Sequence, residues 1–83
     1  MTQRRILTVY LREWCHLCHD LIAQLKPLQD EFGFDLDLVD VETDPVLDDH
    51  YGERIPVLCD GELELCHYFL DQDAVRAHLL GFR

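Results

Sequence analysis

An apolar run, Ile6-Leu7-Thr8-Val9-Tyr10-Leu11, stops just before Cys15-His16-Leu17-Cys18, and a helical repeat of apolar residues begins inside that motif. This succession constrains the chain more than any other feature. A strand that feeds directly into a helix, followed by a second strand, is expected to form a parallel βαβ unit with a right-handed crossover. The same junction sets two cysteines at a helix N-terminus. Unpaired backbone N–H groups and the positive end of the helix dipole there favour a thiolate over a thiol. Two cysteines so spaced and so placed have the layout of a reversible dithiol/disulfide centre.

The remaining elements follow from periodicity and turn signals. Residues 5–11 read as a buried strand. Residues 16–31 read as a helix, with Leu17, Leu21, Leu25 and Leu28 at three-to-four spacing and Ile22 and Phe32 beside them. Pro27 lies inside this pattern and is expected to kink or shorten the helix, with Gly33 as its stop. Residues 34–41 alternate Phe34, Leu36 and Leu38 against Asp35 and Asp37, a strand with one face wet at its start. Residues 42–53 are acidic and turn-rich, and Asp44-Pro45 has the form of a cap and first residue of a short helix. Residues 55–59 and 62–67 read as a hairpin about Asp60-Gly61. Asp71 caps a last helix, with Ala74, Val75, Leu79 and Phe82 on its inner side. The order β-α-β-(α)-β-β-α closes most simply as a four-stranded mixed sheet flanked by helices, with ligand chemistry at the carboxyl ends of the parallel strands, where Cys15 lies.

Composition bounds what such a domain can do. The 83 residues make a single domain, 1–83, and a hydrophobic content of 48% is enough for a packed core without a metal or disulfide staple. A formal net charge of −10 argues against nucleic-acid binding, which needs a basic face. It favours solubility and basic or neutral partners. No apolar run approaches the ~20 residues of a membrane span, and no secretory signal is expected. A cytoplasmic setting follows as the default, in which paired cysteines are more often catalytic or metal-binding than structural.

Three stretches, in this order, resemble the thioredoxin superfamily and within it the glutaredoxin-like proteins. They are Trp14-Cys15-x-x-Cys18 after the first strand, Arg12 three residues before Cys15, and Arg54-Ile55-Pro56-Val57 opening the third strand. The resemblance spans nearly the whole chain. It implies a thioredoxin-like α/β fold, with the Ile55–Pro56 bond cis and facing the dithiol. It also implies a dithiol–disulfide oxidoreductase in which the Ile55 backbone pairs with an extended substrate. A cis bond there is chemically reasonable, because only X–Pro bonds adopt cis at modest cost. Glutaredoxins carry a Gly-Gly pair after the fourth strand, where the backbone closes on glutathione. In this chain that place falls on Cys66-His67, and both side chains fill the space that glycine leaves open. Glutathione dependence therefore does not follow from the resemblance.

The roles read as follows. Cys15, the more exposed sulfur, is the nucleophile, and Cys18, one turn into the helix, resolves the mixed disulfide. Arg12 and His16 favour a thiolate at Cys15, whereas Glu13 and Asp20 oppose it. Trp14 is a packing platform beside the site or a substrate contact. With Asp60-Gly61 as a two-residue turn, Cys66 lies opposite Ile55 at the dithiol end of the sheet, a third thiol near the site. Cys59 is then roughly 13 Å from Cys66 along the strands, too far for a disulfide, which needs Cα atoms within about 7 Å. The substrate-side residues are accordingly Arg12, Trp14, His16, Ile55, Pro56, Cys66 and His67. The partners are a disulfide-containing protein or a low-molecular-weight thiol, with a reductase to recharge the dithiol.

Three other chemistries fit the motif. Cys15-His16-Leu17-Cys18-His19 matches the c-type haem attachment pattern, but the only methionine is Met1 and the motif sits in a strand-first α/β pattern. Cys15 and Cys18 joined by His19, Cys59, Cys66 or His67 would offer zinc its N/S ligands, and two copies could bridge an iron–sulfur cluster. Yet Cys66 and His67 are adjacent and point to opposite faces of a strand. The fold could also carry the dithiol as a non-catalytic redox sensor. No cofactor and no metal ion is expected under the leading reading.

Overall fold

The computed structural model describes residues 5–81. The order of elements is β1 (Ile6–Leu11), α1 (His16–Phe32), β2 (Asp35–Asp40), a 3₁₀ turn (Val41–Thr43), α2 (Pro45–Tyr51), β3 (Val57–Asp60), β4 (Leu63–His67) and α3 (Gln72–Gly81). The sheet order is β2-β1-β3-β4. β1 and β2 are parallel, and β3 runs antiparallel to both β1 and β4. The mixed four-stranded thioredoxin-like sheet is thus as expected.

The pleat assigns the two faces. Leu7 and Val9 of β1 and Leu58 of β3 pack with Leu21, Leu25 and Leu28 of α1 and Val75 and Leu79 of α3 in one buried cluster. On the other face Tyr10 stacks on Tyr51 of α2, with ring centroids 4.0 Å apart. β1 therefore has side chains packed on both faces, which its near-continuous apolar sequence requires. The caps are where the sequence puts them. Asp44 Oδ1 accepts from the Val46 N–H at 2.9 Å, and Asp71 Oδ1 accepts from the Ala74 N–H at 3.0 Å. Gly33 ends α1 at φ 74°, its N–H donated to the Gln29 carbonyl. Phe82 lies outside the described residues.

Three expectations need correction. Pro27 does not shorten α1, which continues to Phe32. The N–H that Pro27 lacks would have met the Ala23 carbonyl, and both residues lie on the exposed side, where water can take that carbonyl. Leu38 does not join the core. It pairs with buried Val9, but β2 is an edge strand and Leu38 stays 52% exposed.

The third correction concerns the hairpin register. Asp60 pairs with Leu63, so the two turn residues are Gly61 and Glu62, with the positive φ of 63° at Gly61. Sliding the turn by one residue moves every pair by two, and a bulge between Leu58 and Cys59 adds one more. Cys66 consequently faces Leu58, three residues beyond Ile55. The bulge turns both Leu65 and Cys66 onto the α1/α3 core. Cys59 and Cys66 are both free thiols, as expected, but for a different reason. Cys66 shares the face of its partner Leu58, and Cys59, the next residue of β3, points to the α2 side.

Candidate active site

The carboxyl end of β1 turns through Arg12–Cys15, closed by the Cys15 N–H donating to the Arg12 carbonyl at 3.2 Å. Cys15 is extended (φ −87°, ψ 111°) and is the N-cap of α1. Its Sγ occupies the position of a capping oxygen and accepts the Cys18 backbone N–H at 3.1 Å. The two cysteines are free thiols of unequal character. Cys15 is partly exposed, whereas Cys18 is fully buried. Burial, reinforced by hydrogen bonding to Cys15 and by its charge, pushes the Cys18 thiol from 9.0 up to about 12. One sulfur is thus presented and the other is kept protonated behind it.

The other expected site residues divide into those at this centre and those drawn elsewhere. Trp14 is 84% exposed and shares a shallow cavity of about 220 Å³ with Glu13, His16 and His19. The Ile55–Pro56 bond is cis, and Pro56 is buried with its carbonyl accepting the Tyr68 N–H at 2.9 Å. The Arg12 guanidinium turns to α2 and the preceding 3₁₀ turn, on Asp48 at 2.5 Å and Glu42 at 3.2 Å. It pins the exit of β1 to α2. Cys66 sits against the core, its thiol pushed up by burial and by the charge of Asp71, although a backbone hydrogen bond there works the other way. His67 Nδ1 contacts Glu64 Oε2 at 2.7 Å, and Glu64 also pairs with Arg54. Partial burial works to raise the Glu64 carboxyl, but His67 and Arg54 together hold it below its usual range.

Sequence reading missed the segment after β4. Tyr68 has φ 64°, a left-handed conformation, and an N–H to carbonyl bond from Phe69 to His67 closes a γ-turn across it. The Tyr68 hydroxyl donates to the Glu53 carbonyl at 2.9 Å. Tyr68 and Phe69 form one wall of a cavity of about 240 Å³ whose other wall is α1, at Leu17, Asp20 and Leu21. The special backbone thus falls one residue after Cys66-His67. No sequence signal marks it, since glycine or asparagine would be the usual occupant. Among the described residues, no three His, Cys, Asp or Glu side chains converge on a point where a metal ion could be held. Among the same residues no helix is long and apolar enough to cross a membrane.

A four-stranded mixed sheet flanked by α1, α2 and α3, with a capping cysteine at the first of them, defines a thioredoxin-like protein. Thioredoxin 1 of Thermosipho africanus shares this fold at a TM-score of 0.59 and 14% identity, over 89% of this chain and 93% of its own. The sequence profile of the family described as "Glutaredoxin-like domain (DUF836)" matches residues 6–80, and the chain belongs to that family. Two solved relatives are nearer than the thioredoxin. Protein Ne2328 from Nitrosomonas europaea, a solution structure, has a TM-score of 0.82 and 41% identity over 94% of each chain. Protein XcR50 from X. campestris, an X-ray structure, has a TM-score of 0.71 and 35% identity over 93% of this chain and 99% of its own. Uncharacterized protein Rv0508 of Mycobacterium tuberculosis is 34% identical over 74 residues, 82% of this chain and 75% of that protein.

Proposed function

We propose that the protein is a thiol–disulfide oxidoreductase that reduces disulfides through Cys15 and Cys18. The observation that carries this reading is the asymmetry of the pair, a presented capping sulfur backed by a buried thiol pushed up to about 12. Cys15, as thiolate, attacks one sulfur of a substrate disulfide. That S–S bond breaks, a Cys15–substrate disulfide forms, and the other substrate sulfur leaves as a thiolate that takes up a proton. Two influences that hold the proton on Cys18 then disappear, because Cys15 no longer carries charge or offers its free sulfur. Cys18 loses its proton and attacks Cys15 Sγ, and the second substrate thiol departs. The net change moves two electrons and two protons from the dithiol to the substrate. An external thiol or dithiol reductant must recharge the Cys15–Cys18 disulfide. Under this reading the protein acts in the cytoplasm, where such a reductant is maintained. Trp14, His16 and His67, with the Ile55 backbone beside the buried Pro56, are the surface against which the substrate lies.

Mass spectrometry of the protein reacting with a small disulfide tests this directly. The wild type should gain an internal Cys15–Cys18 bond, Cys15→Ser should fall to background, and Cys18→Ser should accumulate a mixed disulfide on Cys15. Retention of activity in Cys15→Ser would sink the proposal.

A further inference from the structure

Two cavities are lined by residues of the first turns of α1, next in the chain to the dithiol, and their linings share a chemistry. The first sets Tyr68 and the 69%-exposed Phe69 against Leu17 and Asp20. The second sets the 84%-exposed Trp14 beside Glu13. Each pairs an open aromatic face with one carboxylate, and neither contains lysine or arginine, although His16 and His19 also line the second. Among the described residues, Glu13 and Asp20 are engaged by no hydrogen bond or ion pair. The two arginines nearest in the chain to the dithiol and to Pro56 are already neutralised. Arg12 lies on Glu42 and Asp48, and Arg54 on Glu64 and the His50 carbonyl. The strand pairing of Leu11 with Asp40 brings the acidic stretch after β2 to this same end of the sheet. The chain as a whole carries a formal net charge of −10, so a cationic partner is favoured over an anionic one.

A guanidinium or ammonium group is what an aromatic face beside a free carboxylate accommodates. An anionic thiol such as glutathione meets the same charge with the wrong sign. Resting on the oxidoreductase reading above, we propose that the substrate is an extended cationic polypeptide. Its disulfide is flanked by lysine or arginine, with one basic side chain in the Tyr68–Asp20 cavity and another in the Trp14–Glu13 cavity. The chemistry is unchanged, and the grooves choose which disulfide reaches Cys15.

Peptides of one length, each carrying a cysteine as its 2-pyridyl disulfide between lysine and arginine, glutamine, or glutamate neighbours, decide the matter. Each turnover oxidises the Cys15/Cys18 dithiol to its disulfide and releases the peptide thiol and pyridine-2-thione. In single turnover of the pre-reduced protein, the cationic peptide should react with a second-order rate constant about tenfold or more above that of the glutamine peptide at low ionic strength, a margin typical of electrostatic steering. The glutamate peptide and oxidised glutathione should be slowest, and high salt should erase the ranking. Asp20→Asn and Glu13→Gln should each pull the cationic-to-neutral ratio towards one. Glu62→Gln removes the same charge at the far hairpin tip and should leave that ratio intact. Equal rates for all peptides, or an equal effect of Glu62→Gln, would overturn the proposal. Binding separates it from the chemistry. Trp14 is the only tryptophan, so its emission reports occupancy by serine-for-cysteine versions of the same peptides. If no peptide is reduced yet the cationic one binds about tenfold tighter, the grooves stand and the oxidoreductase reading falls. Equal binding refutes the grooves whatever the activity.

Discussion

At the residue scale the site is a matter of unequal cysteines. Cys15 caps a helix and is partly exposed, while Cys18 and Cys59 are buried. Burial also pushes the Cys59 thiol up, although a hydrogen bond with Tyr51 works against it. Brief alkylation of the reduced native protein should therefore label Cys15 first and spare Cys18 and Cys59 until denaturant is added, which peptide mapping reads directly. Early labelling of Cys18 would contradict its burial. The dithiol was legible in the sequence because a strand, a two-residue spacing and a helical repeat meet at one point. Tyr68 was not, because a left-handed tyrosine is held by its surroundings, the Pro56 carbonyl and the Glu53 carbonyl, rather than by its own preference. That strain is measurable. Tyr68→Ala and Tyr68→Gly both lose the ring and the hydroxyl bond, but only alanine keeps a Cβ at φ 64°. The glycine variant should be the more stable of the two by roughly 1 kcal/mol, seen as a higher urea midpoint at unchanged slope.

At the scale of elements, apolar patterning located β1, α1 and β2, turn and cap signals located the hairpin, α2 and α3, and Asp44, Asp71 and Gly33 marked three of the ends. The 3₁₀ turn Val41–Thr43 had no signal of its own. What these signals left open was register. A single glycine next to an aspartate allows the turn to be either Asp60-Gly61 or Gly61-Glu62, and a bulge has no periodic signature at all. Those two events moved Cys66 from Ile55 to Leu58 and took its side chain into the core. Helix α1 gives the opposite lesson, since a strong local breaker yields to packing. Leu21, Leu25 and Leu28 are buried on both sides of the position Pro27 disrupts, so the helix holds its course against a helix-interior penalty of about 3 kcal/mol. Pro27→Ala restores the N–H toward the Ala23 carbonyl and should raise stability by roughly 1–3 kcal/mol, the lost rigidity of the unfolded chain taking part of the gain. A thermal melt that does not move upward would mean that the carbonyl is already satisfied and the backbone relaxed around the ring.

For the whole molecule, the acidic composition and the buried acids act together at alkaline pH. Cys18 and Tyr51 are both pushed up to about 12, burial being the largest cause in each, and the Cys59 and Cys66 thiols are raised as well. A group whose folded pKa exceeds its unfolded value binds its proton more tightly in the folded state. Its stabilising contribution is whole below the unfolded value and is lost as pH climbs through the folded one. For Cys18 that window runs from 9.0 to about 12. The melting temperature of the reduced protein should accordingly hold steady up to about pH 8.5 and then fall, by roughly 4–8 °C for each kcal/mol lost. Self-repulsion at a net charge of −10 pushes in the same direction, so the slope alone does not name its source. Cys18→Ala resolves it. Removing a buried thiol lowers the plateau through the small cavity it leaves, but it also removes one ionisation, and the decline above pH 9 should become shallower than in the wild type. High salt separates the two further, because it screens surface repulsion and leaves the cost of ionising a buried sulfur in place. A decline that vanishes in salt and is indifferent to Cys18→Ala would assign alkaline lability to surface charge alone.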